Sequence, residues 1–217
     1  AQRSEDARAL LASLERRLDR LQRIADTKTS DLVYLGSRIA LEAVEKLGDT
    51  VRARRAAESV LSFDPRHPAA RLVLAELAHA EARHHEALSH AELGQDRAGV
   101  LTPGRLTRLL LVVLEARVAT DANREAVDQA AEAVLVRGEL GPAELERVSA
   151  ATAQGGSPAV ARATAERWLQ EHERLLTLPQ RAAAHLRIGR ASIALGDLEA
   201  GRRALQASLA AKPLPEA

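Results

Sequence analysis

Among the side chains that could act in catalysis or bind a metal, the histidines are the most closely clustered in this sequence. Five of them fall in one short stretch: His67, His79, His84, His85 and His90. Neutral imidazole is a good ligand for zinc, copper and nickel. His85 and His90, however, are five positions apart, whereas two ligands on one helical face are three or four apart, and no acidic residue completes a tight ligand set. We therefore predict no metal site and keep a histidine-based metal-binding accessory protein as an alternative function.

The motifs of common catalytic sites are missing from the sequence. Gly155-Gly156 precedes a predicted helix but lacks the lysine of a phosphate-binding loop, and no Gly-x-Ser-x-Gly motif occurs. The absence of cysteine excludes disulfides, zinc–thiolate sites and thiol nucleophiles. These observations predict a protein that is not an enzyme and that carries no cofactor.

The composition favours closely packed helices over a β-sheet. The chain is 46% hydrophobic but only 1% aromatic, so its core must be built from alanine, leucine, valine and isoleucine. Alanine and leucine are strong helix formers, and no alternating run predicts a strand. No apolar run reaches the ~18 residues of a membrane-spanning helix. The net charge of +1 gives no general reason to expect nucleic acid, and the single tryptophan, Trp168, is expected in the core rather than in a base-stacking site.

Residues 182–213 read as two amphipathic helices joined by a tight turn. Gly196-Asp197 forms the turn, and Pro213 ends the second helix. Ile188-Gly189 and Gly201 occupy the positions of the Leu-Gly pair and of a small residue in the tetratricopeptide repeat. On these residues the chain resembles the tetratricopeptide repeat (TPR) family. The resemblance implies an all-α fold, a TPR-like α-solenoid of about five helix pairs preceded by one N-terminal helix.

Two earlier segments repeat parts of this pattern. Residues 34–67 contain a predicted helix to Leu47, the turn Gly48-Asp49 and Pro65, but Leu41 stands where the Leu-Gly pair has glycine. We expect this large residue to open the packing of the two helices slightly. Residues 68–94 follow without a gap, and their predicted turn, at Ala82, lacks glycine.

The resemblance divides the chain into four segments. Residues 1–28 are the N-terminal capping helix, 29–94 two TPR-like repeats, 95–178 two degenerate helical repeats and 179–217 the C-terminal TPR repeat. The first helix carries a heptad-like seam of leucines: Leu11, Leu14, Leu18 and Leu21. We expect this seam to pack on the first repeat and cap the array; self-association or a partner helix on the seam is the alternative.

The resemblance also implies a protein or peptide partner in a concave groove, because the first helix of each TPR pair lines such a groove. The residue after the Leu-Gly pair and the residue one turn earlier should face it. These positions hold Arg38, Glu42, Leu72, Glu76, Leu111, Glu115, Leu186 and Arg190. Leucines beside an acidic ladder favour a mixed or basic apolar segment as the partner. Alternatively, the glutamates only solvate the wall or pair locally, as Arg38 with Glu42 at i,i+4.

We predict a non-catalytic TPR scaffold that binds a partner and helps to assemble or anchor a bacterial envelope complex. Arginine greatly outnumbers lysine, which is typical of a GC-rich bacterial genome when alanine is also abundant. The Ala-Gln start fits the end left by signal-peptide cleavage and equally a trimmed chain, so the expected location is periplasmic or secreted, and otherwise cytoplasmic. A TPR sensing module of a larger cytoplasmic regulator is the second interpretation. Neither nucleic-acid binding nor membrane insertion is expected.

Overall fold

The computed structural model describes residues 2–24 and 27–211, and across them it contains α-helices and no strand. α1 spans Gln2–Gln22, and five consecutive pairs follow it. The pairs are α2 (Thr29–Glu42) with α3 (Thr50–Phe63), α4 (Pro68–Ala80) with α5 (His84–Gln95), α6 (Pro103–Ala119) with α7 (Arg124–Arg137), α8 (Pro142–Gly155) with α9 (Pro158–His172), and α10 (Leu178–Ala194) with α11 (Leu198–Ala210). The predicted fold class, an all-α, TPR-like α-solenoid, is confirmed. None of the described helices is both long and apolar enough to cross a bilayer. Pro213, the predicted end of the last repeat, lies outside the described residues.

Helices begin where the sequence supplies a proline or a capping side chain. Proline stands first in α8 and in α9, a position where its missing N–H would have no helical partner. The Asn123 side chain accepts a hydrogen bond from the Ala126 N–H at 2.8 Å before α7. Thr177 and Gln180 form a capping box at the start of α10. These local signals explain why the helix positions are predictable from the sequence.

Most turns between paired helices use the left-handed backbone conformation, although the α8–α9 turn at Gly156 does not. Gly48 (φ 62°) and Gly196 (φ 83°) adopt it without steric cost. Ala82 adopts it too, with φ 57°, 34 positions after Gly48, the length of one TPR unit. Because this conformation costs about 1–2 kcal/mol for a residue with a Cβ, Ala82 is a strained position between α4 and α5.

The helices of the last pair touch at two glycines. A Cβ on Gly189 would lie 2.8 Å from the Leu205 side chain, and one on Gly201 would lie 2.6 Å from Ile193. Glycine is therefore needed for the spacing of α10 and α11. This close approach is the contact that the TPR resemblance implies for these positions.

The α2–α3 pair makes its close contact at a different glycine. A Cβ on Gly36 would lie 2.7 Å from Cγ2 of Val60, whereas Leu41 is buried in the core. α2 ends at Glu42 and continues as a π-helix, Ala43–Leu47, so the helix predicted to Leu47 does reach that residue, with π-helical geometry in its last turn. π-helical turns widen the helix locally and often occur at functional sites.

The helices form two compact units, Ala1–Val112 and Val113–Ala217. In the first unit, Leu11 and Leu14 are buried in a core built with residues of α2, α3 and α4, and Leu18 and Leu21 pack against that core. The leucine seam of α1 thus faces the interior of its own chain. Self-association through the seam would have to compete with this packing, because Leu11 and Leu14 are already buried and Leu18 and Leu21 are partly buried. The predicted segment boundaries stay predictions.

Trp168 is a core residue of the second unit. Its side chain is completely buried, and it packs in one cluster with Leu145, Leu176 and Ala184. The expectation that this tryptophan is a core residue is confirmed. Helices α8, α9 and α10 meet around it and are held in place by it.

Candidate functional site

The residues predicted to bind a partner occupy three kinds of environment. Some line a cleft, some are held in ion pairs, and some are buried. The cleft residues are Arg38, Glu42, Leu186 and Arg190; the paired residues are Glu76 and Glu115; the buried residues are Leu72 and Leu111. Each unit contains its own cleft.

The cleft of the N-terminal unit has a volume of about 360 Å³. It lies between α2, the first turn of α4 and the segment before α6. Arg38, which is exposed, and Glu42, which is half-buried, line it together with the exposed ring of Tyr34. The predicted pair of residues on α2 therefore shares one surface depression.

Leu72 and Leu111 are completely buried, so the prediction that they contact a partner is wrong. Leu72 belongs to α4, which packs against α2, α3 and α5 and therefore has little free surface. Leu111 lies in the run 109–114 of α6, in which every residue is buried. A side chain without exposed surface stabilises the core and is not available to a ligand.

Glu76 already forms an ion pair with an arginine of its own unit. Nε and Nη2 of Arg108 donate hydrogen bonds to its two carboxylate oxygens, the first at 2.6 Å. Nη1 of Arg108 also donates to Glu45 at 2.6 Å. Arg105 donates to both oxygens of Glu45, at 3.2 and 3.1 Å. These four residues form a closed network, the Glu45–Glu76 cluster, which joins the π-helix and α4 to α6.

The opposite charges in the Glu45–Glu76 cluster stabilise the charged forms of Glu45 and Arg108. Burial alone would raise the pKa of the Glu45 carboxyl, but hydrogen bonds from Arg105 and Arg108 outweigh it and lower the pKa. The hydrogen bond to Glu76 raises the pKa of the Arg108 guanidinium. Both carboxylates are therefore held by arginine, and a basic ligand would have to displace Arg108 to reach Glu76.

Glu115 repeats this arrangement in the C-terminal unit. Nε and Nη2 of Arg147 donate hydrogen bonds to its two oxygens, both at 2.7 Å. The pairs Glu76–Arg108 and Glu115–Arg147 each join residues 32 positions apart, close to one TPR length. Two glutamates of the predicted ladder, Glu76 and Glu115, thus pair with the first helix of the following helix pair, rather than within their own helix.

The cleft of the C-terminal unit is larger, at about 510 Å³. Its walls are the end of α8, the first turn of α9 and one face of α10. Leu186 and Arg190, both predicted from the sequence, line it. Much of the remaining lining consists of small residues: Ala150, Ala153, Gly156, Ala161, Ala183, Ala191 and Ala194. Such a lining leaves room for a peptide main chain to approach the helices.

Three arginines give this cleft its charge. Arg124, Arg187 and Arg190 line it, and the lining residues within the described chain include no aspartate or glutamate. Arg124 and Arg190 are exposed, and neither forms a hydrogen bond or an ion pair with a described residue. We refer to these three residues and their surroundings as the arginine cleft.

Sequence reasoning found one of the three arginines. Arg187 lies three positions before Arg190 on α10, and this spacing, which places two residues on one helical face, was a readable signal. Arg124 lies in the first turn of α7, and no spacing in the sequence links it to α10. Folding alone brings Arg124 to the cleft.

Arg187 is the most firmly positioned of the three arginines. Its Nη1 donates hydrogen bonds to Oγ of Ser149 at 3.2 Å and to the Glu146 carbonyl oxygen at 3.5 Å. Its Cζ lies 5.2 Å from the centre of the Trp168 ring, a cation–π geometry. Burial lowers the pKa of Arg187 and the charge of Glu146 opposes this effect, but an arginine side chain stays charged at neutral pH.

The histidines perform structural tasks where their contacts are visible. Nδ1 of His67 accepts a hydrogen bond from the Ala70 N–H at 3.4 Å and caps α4. Nδ1 of His90 lies 2.7 Å from Nη1 of Arg71. Within the described residues, no group of three or more histidines, cysteines or carboxylates is arranged to hold a metal ion.

Comparison with known proteins supports the fold. No protein-family model matches the sequence, and no curated protein sequence matches it. A crystal structure of MamA protein superposes with a TM-score of 0.60 at 15% identity, covering 81% of this chain and 91% of that chain. A second crystal structure of MamA gives a TM-score of 0.58 at 15% identity, with coverages of 78% and 92%. MamA is TPR-like, so the present chain has the fold of a TPR-like helical repeat protein.

Proposed function

We propose that this chain is a divergent TPR protein and acts as a non-catalytic scaffold that holds a segment of a partner protein. The observation that carries the proposal is the arginine cleft, which is walled by α8 and α10, the first helices of the last two pairs. First helices form the ligand-binding wall in the TPR family that the sequence resembles. The likeness to MamA supports the fold on which this argument depends.

The dimensions of the cleft suit an extended peptide. Its lining on α10 runs from Ala183 to Ala194, which corresponds to about 16 Å at 1.5 Å per residue. An extended chain of about five residues covers this length at ~3.3 Å per residue. The alanines of the lining would contact the main chain or small side chains of the partner, and Leu186 would contribute apolar surface.

The experiment that tests this proposal blocks the cleft without changing its charge. Ala153 and Ala194 line the cleft and are exposed, so tryptophan at either position fills it without disturbing the core. A partner captured from cells of the source organism by the tagged wild-type protein would be purified and titrated against Ala153→Trp and Ala194→Trp. We expect both variants to weaken binding by about tenfold or more, since a ligand in a filled cleft loses its buried contacts.

Ala163→Trp is the matched control. Ala163 is exposed on α9 and is not part of the cleft lining, so this variant should bind the partner as the wild type does. If both cleft variants retain wild-type affinity, the partner does not occupy the cleft and the proposal is wrong. Circular dichroism and gel filtration on all three variants verify that they fold.

The envelope complex predicted from the sequence is part of the same proposal. A scaffold with this role should be recovered with the periplasmic or membrane-associated fraction of a bacterial cell. Immunodetection of the untagged native protein after fractionation tests the location. Recovery in the cytoplasm alone would contradict it and would leave the binding role of the cleft untouched.

A further inference from the structure

The arginine cleft differs from several other arginine environments of the same unit, in which the guanidinium is paired with a carboxylate. Arg147 pairs with Glu115, Arg167 with Glu171, and Arg162 with both Glu166 and Asp197. Arg124 and Arg190, in contrast, have no carboxylate partner among the described residues. Unpaired guanidinium groups concentrated in one depression attract carboxylates, which they bind with two parallel hydrogen bonds.

The third arginine fixes the geometry of the cleft. Arg187 is half-buried and is held by Ser149 and by the face of Trp168. It follows Ala183 by one turn of α10 and precedes Arg190 by three residues, so the three residues share one face of the helix. A ligand lying along α10 therefore meets a fixed charge next to an exposed one.

The lining favours a peptide over a nucleic acid. Single-stranded nucleic acids are bound by aromatic side chains that stack on bases, alongside basic residues. The described lining of the arginine cleft contains no aromatic side chain, and Trp168 is completely buried beneath Arg187. Leu186 and the alanines instead offer apolar contacts of the kind that peptide side chains use.

We propose that the arginine cleft binds an extended acidic segment of a partner protein, in which carboxylates contact Arg124, Arg187 and Arg190 and small or apolar side chains lie against the alanines of α8 and α10. The inference depends on the proposed scaffold function and specifies the chemistry of its partner. It replaces the mixed or basic segment predicted from the sequence, because two of the three glutamates behind that prediction, Glu76 and Glu115, are held by Arg108 and Arg147.

The test uses synthetic peptides of eight residues with blocked ends and alternating glutamate and leucine, and a counterpart in which glutamine replaces glutamate. A lysine–leucine peptide tests the opposite charge, and the glutamine peptide with a free carboxy terminus tests whether a terminal carboxylate suffices. Binding to the full chain is measured by calorimetry. Fluorescence of Trp168, the single tryptophan, gives a second signal, since Arg187 lies on its ring.

We expect the glutamate peptide to bind at least about tenfold more tightly than the glutamine peptide, because hydrogen bonds between charged groups are stronger than those to a neutral amide. Binding should weaken as salt is raised and should change the fluorescence of Trp168. The double variant Arg124→Gln/Arg190→Gln should lose at least about tenfold in affinity for the glutamate peptide. Arg174→Gln should not, because Arg174 is exposed and outside the cleft. Arg187 is left unchanged, since its replacement would disturb the core around Trp168.

Three results would overturn the inference. The first is unchanged affinity of the double variant for the glutamate peptide, and the second is failure of the wild type to bind that peptide. The third is tighter binding of the lysine peptide or of a single-stranded oligonucleotide. If a captured partner is nevertheless displaced by tryptophan at Ala153 or Ala194, the scaffold function stands and only the acidic chemistry is wrong. If neither tryptophan displaces it, the scaffold function in this cleft fails as well.

Discussion

The ion pair between Glu76 and Arg108 should contribute measurably to stability, unlike most surface pairs. The Glu76 side chain is 21% exposed and that of Arg108 is 32% exposed, and two parallel hydrogen bonds join them. Fully exposed pairs couple by about 0.2–1 kcal/mol, whereas hydrogen bonds to charged groups contribute about 1.5–3 kcal/mol. A bidentate ion pair whose side chains are partly exposed should therefore show a coupling energy of about 1–2 kcal/mol.

The assay is a double-mutant cycle with Glu76→Gln, Arg108→Gln and the double variant, each unfolded in urea. Arg108→Gln should cost more free energy of unfolding than Glu76→Gln. Arg108→Gln removes the ion pairs of Arg108 with both Glu45 and Glu76. In Glu76→Gln, by contrast, Arg108 still forms its ion pair with Glu45. Raising the salt concentration should reduce the coupling only in part, since partly buried charges are weakly screened.

The pair Glu199–Arg202 is the matched control. Its side chains are 75% and 65% exposed, so its coupling energy should be below about 0.3 kcal/mol, at the low end for exposed pairs. Equal coupling energies in the two cycles would refute the reasoning, and they would mean that Glu76 is as free to meet a partner as a surface glutamate.

Three further predictions concern the folded chain. Ala82→Gly should raise the free energy of unfolding by about 1 kcal/mol, because glycine adopts the left-handed conformation without strain. Burial lowers the pKa of His67 and of His90, so below pH ~6.5 the unfolded chain binds protons that the folded chain does not. The free energy of unfolding should therefore fall as the pH is lowered from 7.5 to 5.5, less so in His67→Asn/His90→Gln. Leu11→Ala should cost about 3 kcal/mol, and Leu10→Ala, on the same helix but partly exposed, less than about 1 kcal/mol.

Each of these three predictions has a result that contradicts it. A lower stability of Ala82→Gly would mean that the turn before α5 is not strained. The same pH dependence in the wild type and the double histidine variant would show that other groups cause it. Equal costs at Leu10 and Leu11, or a dimer that Leu11→Ala dissociates, would show that the leucine seam of α1 contacts another molecule rather than its own core.

The helical pairs are predictable because their signals are local. Proline at the first position of α8, the turn at Gly196 and the close contact at Gly189 all act within one helix pair, and the sequence displays them directly. The π-helix at Ala43–Leu47 and the left-handed Ala82 carry no such signal. There, packing between helices overrides the preference of the individual residues.

The binding surface is less predictable because charges find partners across helix pairs. The helical register predicted Glu76 and Glu115 on helix faces that line a groove. In the structure, each of these carboxylates instead forms an ion pair with an arginine 32 positions later in the chain. The prediction that Leu72 binds a partner was wrong because α4 packs against helices on several sides, and a periodic sequence pattern does not reveal those neighbours. Arg124 was missed because it reaches the cleft from another helix, and only the three-dimensional structure shows the juxtaposition.

The most direct test of the scaffold function is site-specific photo-crosslinking inside the cleft. A photoreactive amino acid would replace Ala194, an exposed residue of the cleft lining, and in a parallel sample Ala163, which is exposed outside the cleft. After irradiation in cells, position 194 should yield a covalent adduct with one partner protein at an acidic segment, and position 163 should not. An adduct from position 163 alone, or equal adducts from both positions, would contradict the claim that this cleft holds the partner.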